Sequence, residues 1–133
     1  MNKLALALGI GAALVVSACS GSESPTPGNL AVRNSAVTSA RAVMVKVAGP
    51  VVAVAAPSGT GYHVFGKAVG ASGDTTMIIV VAPKGTTLGT GDLATIQVPD
   101  THKAGSYTVT AIQASNASNA LVAGGFTLSV GQP

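Results

Sequence analysis

Few side chains in this 133-residue chain can do chemistry. It has one thiol, Cys19, two imidazoles, His63 and His102, and four carboxylates, Glu23, Asp74, Asp92 and Asp100. A nucleophilic hydrolase needs a hydroxyl or thiol beside a base, and a third group to orient that base. Serines and threonines abound, but none sits in a Gly-x-Ser-x-Gly elbow. The tightest polar cluster, Asp100-Thr101-His102, reads as a solvated turn between two strands. A zinc site takes three or four His, Cys, Asp or Glu ligands, and two histidines with scattered aspartates supply no ready set. Three aspartates with no glutamate in residues 40–133, and no tryptophan, make a poor sugar-cleaving pair. Ser58-Gly-Thr-Gly61 and Lys84-Gly-Thr-Thr-Leu-Gly-Thr-Gly91 are glycine-rich, yet a phosphate loop needs Gly-Lys-Ser/Thr leading into a helix. Here lysine precedes the glycines and a strand pattern follows, so both phrases read as turns. The expectation is a chain without catalysis, cofactor or metal.

The context of Cys19 is different. Lys3 is followed by an apolar run from Leu4 to Val16, and then by Ser17-Ala18. A basic start, a short apolar stretch and a small-residue cleavage site make a secretory signal. The run is too short to span a bilayer as a mature helix, which needs about 20 apolar residues. Val16-Ser17-Ala18-Cys19 resembles the lipobox of bacterial lipoproteins. That resemblance implies cleavage between Ala18 and Cys19, with acyl chains on the new amino group and on the sulfur. The alternative is an ordinary secretory signal that leaves Cys19 a free, reactive thiol. In the lipoprotein reading the partner is the membrane, held through the lipid on Cys19. Ser20, where an aspartate often marks inner-membrane retention, favours the outer membrane in a two-membrane cell envelope.

Charge excludes another class. From Cys19 onward there are six basic and four acidic residues, scattered singly. Nucleic-acid binding needs a clustered basic footprint, so no nucleic-acid partner is expected.

The elements that must position these residues read mostly as strands. Residues 1–18 are the signal. Residues 19–39 read as a flexible tether, polar and Pro/Gly/Ser-rich to Gly28, then able from Asn29 to begin a strand or lie as ordered linker. Residues 40–133 carry period-two patterns and turn signals. Val43, Val45 and Val47 alternate in one strand, and Val51 to Val54 make a second. Tyr62 to Val69 is a third, while Met77-Ile78-Ile79-Val80-Val81 is continuous and apolar, as in a strand buried on both faces. Ala94 to Val98, Tyr107 to Ile112 and Phe126 to Val130 complete seven, and Ser115 to Ala120 reads as a loop. Seven short strands without a long helix predict an all-β, antiparallel β-sandwich. Lys46 and Lys67 are expected on exposed edges, discouraging sheet-to-sheet pairing.

Two resemblances reinforce this fold. Gly105-Ser106-Tyr107-Thr108-Val109 resembles the Gly-x-Tyr-x-Val segment of immunoglobulin-like modules, which implies a tyrosine corner bonding nearby backbone. Ala42 to Val47, Val51 to Val54 and Gly91-Asp92-Leu93-Ala94-Thr95-Ile96 are similar in order to the cohesin family. Cohesins are sandwich modules that bind a partner and do no chemistry. The expected function is therefore a lipid-anchored, non-catalytic binding or adhesion module of the cell envelope, with an envelope protein or surface polymer as partner. The alternative is a structural or assembly lipoprotein of an envelope complex. The best candidate ligand surface is the third strand, with Tyr62, His63 and Phe65.

Overall fold

The computed structural model describes residues 24–122 and 125–133. Cys19, Ala18 and the signal lie outside the described residues. Among the described residues nine strands form: β1 (Gly28–Asn34), β2 (Ala42–Ala48), β3 (Ala53–Ala55), β4 (His63–Val69), β5 (Thr75–Val81), β6 (Gly91–Val98), β7 (Thr108–Ser115), β8 (Leu121–Val122) and β9 (Leu128–Gly131). They make a four-stranded sheet, β3-β6-β1-β9, and a five-stranded sheet, β4-β5-β2-β7-β8. Every described pairing is antiparallel. The chain is an antiparallel β-sandwich.

Alternation explains the packing. Leu30 and Val32 of β1, Val43, Val45 and Val47 of β2, Ile78 and Val80 of β5, and Ala94, Ile96 and Val98 of β6 turn inward into one core. β-Branched side chains suit this half-buried pleat, and the core is almost wholly aliphatic, with Tyr107 its one aromatic buried to this depth.

The sandwich begins earlier than the sequence pattern suggests. Gly28–Asn34, inside the 19–39 segment read as tether, is a central strand paired with both β6 and β9. Its Asn-Leu-Ala-Val-Arg pattern is short and borders the proline tract, so the local signal is weak. Pairing on both sides is what makes it a strand. Even Thr26 is held: Asp100 Oδ1 accepts its N–H at 3.2 Å, and Thr26 C=O accepts from Thr101 N–H at 2.8 Å.

The strand with the continuous apolar run is also different from expectation. In β5, Thr76, Ile78 and Val80 are buried while Ile79 is 38 % exposed. Only one face of the five-stranded sheet meets the other sheet, so the second face of β5 is open to solvent. Lys46, expected at an edge, lies on central β2, whereas Lys67 is on edge strand β4.

Tyr107 does not form a local corner. Its hydroxyl donates to the carbonyl of Pro50, 57 residues away, and so ties the start of β7 to the β2–β3 connection. Gly49 makes room for the ring: a Cβ there would stand 2.4 Å from Tyr107 Cδ2, and its φ is +134°. Burial, and secondarily the charge of Asp100, raise the phenol's pKa.

The four sheet edges are unequal. β3 has three residues, β9 four and β8 two, but β4 has seven.

Candidate binding face

The outward side of the five-stranded sheet carries an apolar strip. Phe65 of β4 stands opposite Ile79 of β5, which stands opposite Met44 of β2, which stands opposite Gln113 of β7. Directly paired residues on one face have Cβ atoms about 5 Å apart, so these four form a continuous row. The next row is Lys67, Met77, Lys46 and Thr110. A hollow of about 290 Å³ opens over the first two rows, lined by Met44, Phe65, Lys67, Val69, Met77 and Ile79. A second, of about 170 Å³, continues across Ala42, Met44, Ile79, Gln113 and Ser115.

Exposure varies along this face: Ile79 is 38 % exposed, while Met44 and Met77 are half-buried. Phe65 is 62 % exposed and Ile112 49 %. Ile112 is the extra residue where the β2–β7 register shifts between Met44 and Val45, a bulge that leaves it unpaired. Large contiguous apolar patches on a folded surface mark interaction sites. Methionine adds an adaptable, polarisable surface to such sites.

The three residues of the expected ligand strand separate. His63 and Phe65 share the outward face. Tyr62 does not join them: it packs against the core, and its hydroxyl accepts the Gly89 N–H at 3.0 Å. Tyr62 thus positions the loop before β6. Met77 and Ile79 were not legible as surface residues, because an unbroken apolar run gives no face, whereas Met44 shares with Lys46 the side of β2 opposite Val43, Val45 and Val47. The available signal was a lysine two residues from Met44 and another two residues from Phe65, each on the same face of its strand.

The titratable groups are dispersed. Asp92 accepts from Arg33 Nε at 2.7 Å, at one end of β6. Asp100 lies beyond the other end, about 26 Å along an eight-residue strand. It caps a 3-10 turn, Thr101–Ser106, accepting the His102 N–H at 3.1 Å, with its carboxylate 3.3 Å from His102 Nδ1. The Thr26 N–H first, then the His102 N–H and the charges of His102 and Lys103, hold its carboxyl below the ordinary value, against an opposing effect of burial. Asp74 is exposed on the β4–β5 turn. Among the described residues, no group of three or more His, Cys, Asp or Glu side chains is placed to hold a metal ion. Among them, too, no helix is long and apolar enough to cross a membrane.

No protein-family model matches the chain, and no characterised protein or solved structure is significantly similar to it.

Proposed function

We propose that this protein is a lipid-anchored, non-catalytic binding module of the bacterial cell envelope, which uses the outward face of β4, β5 and β2 to hold an envelope protein or surface polymer. The observation that carries the reading is the Phe65–Ile79–Met44 row, an apolar strip spanning three strands. Burying such a strip against a partner gains about 25 cal/mol per Å² of apolar surface. Rigid paired strands hold it in place, which keeps the ordering cost of binding low. The anchor follows from the lipobox resemblance at Val16–Cys19, and the β-sandwich agrees with the binding-module resemblance. Acylation of Cys19 with more than one chain would give stable membrane attachment.

The test uses the full chain in cells. A photo-crosslinking amino acid at position 65 should capture a discrete partner, and the same group at position 95, on the other sheet's outward side, should not. Equal capture at both positions, or none at 65, would sink the binding-face reading. Cys19→Ala should accumulate as an unprocessed precursor that takes up no labelled fatty acid; normal processing would remove the anchor.

A further inference from the structure

We propose that β4 is the docking edge of this domain and that it takes an extended partner segment by strand addition, with an apolar residue opposite Phe65 and an acidic residue opposite Lys67. The inference rests on the binding-face reading, because Phe65 belongs to both, and it specifies the partner's form and chemistry.

The edges carry the argument. A sheet edge presents N–H and C=O groups that template another strand, and proteins blunt edges by shortness, proline or charge. Three edges here are blunted by shortness, at three, four and two residues. β4 keeps seven residues, His-Val-Phe-Gly-Lys-Ala-Val, without proline and with one lysine. Among the described residues β4 pairs with β5 alone, so its outward backbone groups have no strand partner.

The register then defines what fits. Successive residues of an added strand point to opposite faces. Those opposite His63, Phe65 and Lys67 extend the apolar outward face by one strand. Those opposite Val64, Gly66 and Ala68 turn toward β3. There Val54 sits so close to Gly66 that a Cβ would lie 2.5 Å from its methyl. A crevice of about 120 Å³ lined by Val54, Gly66, Ala68 and Thr76 remains, which suits small side chains.

Charge selects the partner. The outward rows contain Lys46 and Lys67, which flank Met77, and no carboxylate. An opposite charge directly across from Lys67 stabilises the pairing, and a like charge opposes it. A second copy's β4 has no carboxylate to offer, so β4–β4 pairing lacks the charge match, and the occupant proposed is an acidic extended segment of another protein.

The experiment titrates the full chain, in detergent micelles, with a synthetic peptide whose core is Asp-Ala-Phe-Ala-Asp flanked by threonines. That core places a carboxylate opposite Lys67 in either strand direction. Hydrogen exchange of the β4 amides should slow on binding. Affinity should fall about tenfold when both aspartates become lysines, or in Lys67→Glu, and recover when the two changes are combined. β4 protection that grows with protein concentration without peptide would overturn the proposal in favour of self-pairing. Peptide binding that protects no β4 amide would overturn it as well. If neither peptide binds while position 65 still captures a partner, strand addition fails alone; if capture is also lost, the binding face fails with it.

Discussion

The outward faces of the two sheets are built from the same strand geometry and opposite chemistry. On the four-stranded sheet, Asn29 pairs with Gln97, Ala31 with Thr95, and Arg33 with Asp92 and Ser129. These are small or polar residues with one internal ion pair. On the five-stranded sheet the equivalent rows hold Phe65, Ile79, Met44 and Met77, with Lys67 on the edge strand, Lys46 on central β2, and Gln113 and Thr110 on β7. Neither lysine forms an ion pair among the described residues, whereas Arg33 does. One face is complete in itself; the other is apolar and carries uncompensated charge. Since both sheets bury their inner sides in one core, stability does not require the second face to be apolar. The difference supports the proposed binding role.

The sharpest test of that division lies between neighbours on β5. Ile78 is fully buried and Ile79 is 38 % exposed. Truncating a buried isoleucine costs its transfer energy and leaves a cavity, so Ile78→Ala should lower stability by about 4 kcal/mol. Ile79→Ala should cost about 1 kcal/mol, since much of that side chain stays hydrated. Urea unfolding measures both. Equal losses would mean that the apolar face is part of the core.

This pair also shows what the sequence could and could not convey. The alternation of Val43, Val45 and Val47, and of Ala94, Ile96 and Val98, announces strands and their inner faces. Met77 to Val81 announces a strand but no face, because every residue is apolar, and only the single opposing sheet decides which half is covered. β1 was harder still: Leu30 and Val32 alternate, but two partners far along the chain, β6 and β9, settle its place. Phe65 and His63 were legible as a site because one strand's alternation places them together. Met44 and Ile79 were not, because cross-strand register joins them to Phe65.

A smaller effect separates the ends of the two sheets. Asn34, at the end of β1, is 1 % exposed and uses its whole carboxamide. Its Oδ1 accepts from the N–H groups of Ala36 and Thr127, both at 3.1 Å, while Nδ2 donates to Ala36 C=O at 2.7 Å and Gly89 C=O at 3.3 Å. One side chain thus ties three connections to the four-stranded sheet. Asn34→Ala removes the partner of part-buried backbone groups at Ala36, Gly89 and Thr127 and should cost about 2 kcal/mol, read by thermal unfolding. Hydrogen exchange should quicken at Ala36 and Thr127 and stay unchanged in β4. Faster exchange throughout β4 would show that the edge depends on this tie, and that the two sheets are not independently built.

The smallest effect concerns the charges. Arg33 and Asp92 are each partly exposed, and exposed pairs contribute about 0.5 kcal/mol, less in salt. Arg33→Ala should therefore lose about that amount, with the loss shrinking as salt rises. Lys67→Ala should change stability by less, because no acidic partner is lost among the described residues. In cross-linking from position 65 it should nonetheless weaken partner capture, and Arg33→Ala should leave capture intact. The charge on the polar face then acts within the fold, and the charge on the apolar face acts on the partner. If Lys67→Ala instead destabilises the protein as much as Arg33→Ala and spares capture, the lysine serves the fold, and the contrast between the two faces does not extend to their charges.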